Sequence, residues 1–216
     1  MLIPLSRLVQ DFGVHITGVL HVGAHECEER EAYLAVDTGK GKLTDANIYW
    51  VEAQEHLVKR AAEVMKIPHI FQAVVSDTDD QQVNFIVTNN MQSSSILELE
   101  DHKTEHPWVV EIQRYPVTTT RLDTLISRSI GSETFRNSVN FVNLDIQGAE
   151  LLALRGLGEF LDSVQYIYTE VNTRPLYRDC ALLPEMDAFL EEKHGFKRVA
   201  IEMTAHNWGD AFYVRG

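Results

Sequence analysis

Apolar, β-prone runs alternate with helical patterns along most of this chain, and that alternation limits its fold more than any other feature. The β-prone runs lie at 17–22, 47–52, 69–75, 83–87, 115–118, 139–146, 164–171, 196–202 and 211–215, and helical patterns at 5–12, 27–37, 54–65, 148–161 and 183–194. Leu57, Val58, Ala61 and Met65 fall on one helical face, as do Leu151, Leu154, Leu157 and Leu161. Such alternation predicts an α/β fold with a mostly parallel, Rossmann-like sheet covered by helices on both faces. About eight residues separate the last two strands, too few for a covered parallel crossover, so that pair is expected to be antiparallel. Residues 76–120 break the rhythm with two strand-like runs, the polar stretch Ser93-Ser94-Ser95 and an acidic segment at 98–105. They read as a β insertion or lid inside one domain spanning 1–216.

In an open parallel sheet, ligands bind beyond the carboxyl ends of the strands. The first strand ends at His21-Val-Gly-Ala-His25, where Gly23 breaks an apolar run ahead of a charged, helix-prone stretch. Such a turn is expected to bring free backbone N–H groups and a helix N-terminus to the sheet edge. The second strand, Ile48-Tyr-Trp-Val-Glu52, ends in a carboxylate, the residue type that often holds a ribose there. Glu52 also has a plainer reading as a solvated carboxylate at a helix start. Further strand ends carry Ala73-Val-Val-Ser-Asp77, Asp145 followed by Gln147-Gly148, and Glu170-Val-Asn172. A carboxylate ending a buried strand needs a partner or a task. Capping of the helix near Gly148 would be one such task for Asp145.

The glycine turn lacks the second and third glycines of a dinucleotide fingerprint, since Gly23 is followed by Ala24, His25, Glu26, Cys27 and Glu28. A pyrophosphate then finds less room against the backbone, and a nicotinamide-dependent oxidoreductase is disfavoured. A ligand with a ribose and no phosphates, such as S-adenosylmethionine, needs less. His21 and His25 span a strand end and a turn with no third ligand at a recognisable spacing, so no metal site is expected.

The net charge of −13 and the lack of a basic cluster argue against a nucleic-acid partner, whose phosphates would need Lys and Arg. No apolar run approaches the roughly 20 residues of a membrane helix. Residues 1–12 lack the h-region and cleavage site of a signal peptide and read as a short amphipathic helix. Two distant cysteines, Cys27 and Cys180, without a CxxC, fit a reducing, cytoplasmic setting.

Taken in order, several motifs resemble the FkbM family of S-adenosylmethionine-dependent methyltransferases, over roughly residues 17–215. His21-Val-Gly-Ala-His resembles the family's Asp-Val-Gly-Ala-Asn turn, and Val51-Glu52-Ala53 its acidic motif on the second strand. Gln72-Ala-Val-Val-Ser-Asp77 is similar to its adenine-side segment, while Ser93–Ser95 and Val117 to Leu125 are similar to its middle motifs. Asn143-Leu-Asp-Ile-Gln-Gly-Ala-Glu150 resembles its Lys-Ile-Asp-Val-Glu-Gly-Ala-Glu element. The resemblance implies a seven-stranded class I methyltransferase sheet with an antiparallel last strand. It also implies S-adenosylmethionine as cofactor and O-methylation of a sugar, glycan or other small-molecule hydroxyl. Cofactor contacts then fall to His21, Gly23, Ala24, His25, Glu52, Ala53, Ala73, Val74, Ser95 and Asp145. Asp145 and Glu170 are the expected catalytic carboxylates, with Asn172 and His206 behind them, and the first two could instead hold a divalent metal that acidifies the hydroxyl. The chain departs from the family at His21 for Asp, Cys27 for Gly, Asn143 for Lys and Gln147 for Glu. The last two changes, at Asn143 and Gln147, motivate an alternative, a cofactor-binding module without catalysis in a glycan-synthesis assembly.

Overall fold

The structure is a computed structural model that describes residues 1–37 and 41–216. The chain opens with α1 (Leu5–Phe12), stopped by Gly13 in a left-handed conformation at φ 62°, which a residue with a side chain adopts only with strain. Then come β1 (Val19–Val22), α2 (Arg30–Ala35), β2 (Ile48–Glu52), α3 (Glu55–Glu63), β3 (Ile70–Gln72) and β4 (Val74–Val75). The middle holds β5 (Gln82–Thr88), α4 (His102–Glu105), β6 (Glu111–Thr120), α5 (Leu122–Leu125) and α6 (Ser132–Ser138). The final part runs through β7 (Phe141–Leu144), α7 (Glu150–Gly156), β8 (Tyr166–Asn172), α8 (Leu183–Asp187), β9 (Phe196–Met203) and β10 (Trp208–Arg215).

Seven strands form the main sheet in the order β3-β2-β1-β7-β8-β10-β9. The pairs from β3 to β8 are parallel, and β10 runs antiparallel to both β8 and β9. This is the mostly parallel sheet with an antiparallel last strand that the pattern and the resemblance imply. Side chains alternate between two cores, as the two-residue period of a strand requires. Leu20, Val22, Tyr49, Val51, Val142, Leu144, Ile167 and Tyr213 face one core with α5, α6 and α7. Val19, Ile48, Trp50, Phe141, Tyr168 and Phe212 face the other, with α1 and α2. Burying each such side chain contributes roughly 1.5–3 kcal/mol. No described helix is long and apolar enough to cross a membrane.

Two sequence expectations change in detail. The single run at 69–75 splits at Ala73. Its first half pairs with β2, and its second half, β4, leaves the main sheet to pair with β6 in a three-stranded sheet of order β4-β6-β5. That split opens the sheet edge beside Glu52. The strand read at 115–118 extends over Glu111–Thr120. Its polar N-terminal half is exposed and carries no hydrophobic alternation for sequence to reveal, while Arg114 ties it to Glu98 and Glu111. The segment between β5 and β6 is also fastened to the loop after β8: Glu100 N–H donates to Leu176 O at 2.8 Å and Arg178 N–H to Glu98 O at 2.8 Å.

Candidate functional site

The loops after β1, β2, β7 and β8 meet at the carboxyl edge of the sheet. Gly23 has φ +93°, and a Cβ there would sit 1.8 Å from Asp145 O, so only glycine lets β1 and β7 leave the sheet side by side. The turn amides, expected to be free, are committed to β2. Gly23 and Ala24 N–H both donate to Val51 O, at 2.9 and 3.0 Å, and His25 N–H donates to Glu52 Oε2 at 2.8 Å. Without further glycines the turn folds back on β2, with His25 and Cys27 at positive φ, and α2 starts only at Arg30. The Cys27 thiol is buried, and burial pushes it up to about 12, which keeps it protonated and unreactive. Glu52 is buried and its other oxygen accepts from Gln54 N–H at 2.8 Å. Burial raises its carboxyl above the ordinary range, against these hydrogen bonds. Each oxygen still has a second lone pair for a ligand hydroxyl.

Two cavities open here. The first, of about 580 Å³ including open solvent at its mouth, is lined by Gly23, His25, Glu52, Ala53, Ala73, Val74, Ser95 and Asp145. Eight of the residues expected at a cofactor are thus brought together. Ala24 is buried behind the turn, and His21 borders the second cavity instead. That second cavity, of about 1250 Å³ by the same measure, is walled by Asp145, Glu170, Asp210, His102, His106, Trp108, Tyr177 and Trp208. Gly23, His25, Gln92, Asp145 and Gln147 belong to both walls. Asn172 and His206 line neither. Asn172 is buried, its side-chain amide unpartnered among the described residues, and His206 lies on the surface 3.4 Å from Glu105.

At the junction the acids are crowded. Gln147 Nε2 donates to Asp145 Oδ1 at 2.7 Å and to Glu170 Oε2 at 2.9 Å, and its Oε1 accepts from the Tyr177 hydroxyl at 2.7 Å. Ser95 Oγ donates to Gln147 O at 2.8 Å and so fastens the β5–β6 segment to this turn. Glu150, rather than Asp145, closes the start of α7, accepting from Ile146 and Gly148 N–H at 3.0 and 3.1 Å. The positive φ of Gln147 and Gly148 turns those amides toward Glu150. Burial, then the charges of Asp145, Glu150 and Asp210, raise the Glu170 carboxyl well above the usual range. Depth in the protein also raises Asp145, with Asp210 adding to it and the Gln147 hydrogen bond opposing it. Asp145 keeps solvent-exposed surface on the cavities, whereas Glu170 is 6% exposed, so cavity water screens Asp145 more.

The departure at His21 has a structural partner. His21 and Asn143 are registered neighbours on β1 and β7, facing the same side of the sheet. Asn143 Nδ2 donates to the Tyr33 hydroxyl at 2.8 Å and lies 3.3 Å from His21 Nδ1, which is 3.0 Å from that hydroxyl. His21 also stacks on Trp50 at 4.7 Å, and burial lowers its basicity, so it is neutral. The positions that the family fills with Asp and Lys thus hold an uncharged His–Asn–Tyr group.

Sequence reading did not single out Asp210, Tyr177 or the bridging role of Gln147. Asp210 lies directly across from Glu170 in the β8–β10 register, and it accepts from the Tyr168 hydroxyl and, at 2.6 Å, from Leu2 N–H. The sequence pattern starts the strand at 211, which leaves Asp210 in a loop. A boundary two or three residues earlier would have set it opposite Glu170.

The chain matches the methyltransferase FkbM domain over residues 21–198. It belongs to the FkbM methyltransferase family. Among curated proteins, the 2-O-methyltransferase NoeI of Sinorhizobium fredii is 34% identical over 85 residues, 39% of this chain. The match spans 33% of that relative's length. Two solved structures overlap loosely with it. Magnesium protoporphyrin IX methyltransferase of Synechocystis, with bound SAM, has a TM-score of 0.44 at 12% identity, covering 97% of this chain and 74% of that one. A SAM-dependent methyltransferase of Aquifex aeolicus has a TM-score of 0.44 at 14% identity, covering 98% and 94%. As a family member the chain carries Asp145, Gly148 and Glu150 of the family's acidic element and lacks its first Glu, at Gln147.

Proposed function

We propose that this chain transfers a methyl group from S-adenosylmethionine to a hydroxyl of a sugar, a glycan or another small molecule. The observation that carries the reading is the shared wall, Gly23, His25, Asp145 and Gln147, between two cavities at the carboxyl edge of the sheet. S-adenosylmethionine supplies a methyl carbon already activated on a sulfonium sulfur. Glu52 would take the ribose hydroxyls on its remaining lone pairs, and Ala53, Ala73, Val74 and Ser95 would flank the adenosyl part. The committed turn amides leave little to hold a pyrophosphate, which counts against a nicotinamide cofactor. The carboxylates around the junction favour a cationic group over an anionic one.

The second cavity suits a hydroxylated acceptor. Trp108, Trp208, Tyr177 and His106 offer aromatic faces with polar edges, and Asp145 and Glu170 also line it. An alcohol is a weak nucleophile while protonated, and Asp145 would accept its proton, a step that contributes about 10²–10⁴-fold in rate. Holding the oxygen in line with the junction contributes more. The 2-O-methyltransferase relative supports oxygen as the methylated atom.

Asp145→Asn tests the assignment. Turnover on a panel of sugar acceptors should fall at least about 100-fold. Calorimetry should find S-adenosylhomocysteine binding within a few-fold of wild type. Full activity in the variant would overturn the role of Asp145. A wild type that binds the cofactor and methylates no acceptor would favour the non-catalytic module. A thermal shift with NAD but not S-adenosylhomocysteine, where saturation at 100 times Kd stabilises by about 2.7 kcal/mol, would favour the oxidoreductase.

A further inference from the structure

We propose that Gln147 is a positioning residue that binds Asp145 and Glu170 to one amide nitrogen, so that only one of the two ionises: Asp145, toward the cavity junction, while Glu170 keeps its proton. This rests on the reading of that junction as the methyl-transfer site only for its consequence, not for the charge arrangement itself.

Both hydrogens of one amide nitrogen are used, one on each carboxyl group, at 2.7 and 2.9 Å. The Tyr177 hydroxyl, which donates to Oε1 at 2.7 Å and lies 3.3 Å from Ser93 O, favours this orientation, and a flipped amide would take its donor away from the ionised carboxylate. The backbone is held as well, by Ser95 on the carbonyl and by the tight turn at φ 57°. A glutamine takes no proton, so the proton must sit on one of the two acids it bridges. Two carboxyl groups held on one amide nitrogen, one of them buried, do not both ionise at little cost.

The surroundings decide which acid stays neutral. Glu170, on β8, faces Asp145, Glu150 at the start of α7, and Asp210 on β10, and it is 6% exposed. Asp145 feels Asp210, Glu29 ahead of α2 and the Met1 amino group, and it opens on cavity water. His21, the nearest basic side chain on β1, is neutral, and Tyr177 keeps its proton because burial and Glu170 raise it. Asp145 is therefore the anion. In the reaction its task is a proton transfer alone: the acceptor O–H bond breaks, the electron pair stays on oxygen and the proton ends on an Asp145 oxygen. A glutamate at 147 would add a third acid and remove the donor.

Carboxyl ¹³C NMR titration of the cofactor-free protein reads the arrangement directly. In wild type Asp145 should titrate at least about one pH unit below Glu170. Gln147→Glu should move the Asp145 transition up by about one unit or more, and Tyr177→Phe, which frees the amide to turn, should move it less but in the same direction. The acid limb of kcat should follow, with about tenfold lower rate per unit on the acid side, while KM for the cofactor stays within about twofold. A residue that only held the turn would lower activity without moving either transition. An unmoved Asp145 titration in Gln147→Glu, or Glu170 titrating below Asp145 in wild type, would overturn the proposal. The expected titrations in a protein that methylates no acceptor would support it and sink the proposed activity instead.

Discussion

At the residue scale, departures from a family pattern make sense in pairs. His21 and Asn143 look unrelated in the chain, 122 positions apart, yet they are registered neighbours sharing the Tyr33 hydroxyl. Replacing one charged member alone would bury an unpaired charge, which costs about 3–5 kcal/mol. Replacing both leaves a neutral, hydrogen-bonded group. His21→Asp and Asn143→Lys should each lower stability by about 3 kcal/mol in urea unfolding, and the double variant should recover about 1 kcal/mol or more of their sum. Strict additivity would mean that the two positions do not compensate one another. Sequence exposed each substitution but not the pairing, because register between parallel strands is set by the sheet and not by spacing along the chain.

At the element scale, the site depends on strands leaving the sheet at the right places. β1 and β7 run so close at their ends that Gly23 has room for hydrogen only. Gly23→Ala combines a positive φ with a clash against backbone, so it should destabilise by about 3 kcal/mol or more in thermal unfolding and abolish cofactor binding. A variant of wild-type stability would show that the turn relaxes freely. The strand–turn signal at 17–23 was legible because an apolar run ended on a glycine. The split of the run at 69–75 was not, because Gln72-Ala-Val-Val carries the same β propensity on both sides of the break. Only pairing partners, β2 for one half and β6 for the other, separate them. Nor was the committed state of the turn amides legible, since it depends on Val51 lying alongside.

At the scale of the whole molecule, the fold sets several acids against one another in its interior. Glu170, Glu150, Asp145 and Asp210 all have carboxyls raised above their unfolded values, chiefly by burial. The folded state therefore binds more protons than the unfolded chain above about pH 4. The stability these groups contribute is complete below that pH and is lost as pH rises through their raised folded values. Surface acids paired with Arg, such as Asp45 and Glu98, are lowered and act in the opposite sense in acid. Glu170→Gln isolates the first effect. Its melting temperature should exceed that of wild type at pH 8, and the difference should shrink toward zero below about pH 4. A constant difference across that range would mean that Glu170 does not change its charge on unfolding.

Hydrophobic period and turn chemistry are local properties, and they were enough to specify the alternating strands and helices, the antiparallel final pair and the strand ends where carboxylates stand. Which carboxylates meet is not local. Asp145 follows the end of β7, Glu170 and Asp210 lie on β8 and β10, Gln147 and Tyr177 come from two loops, and their distances exist only once the sheet has set its order and register. The chemistry of the junction was therefore written in residue types along the chain, while its charge state was fixed by packing, because burial and neighbouring charge act through space.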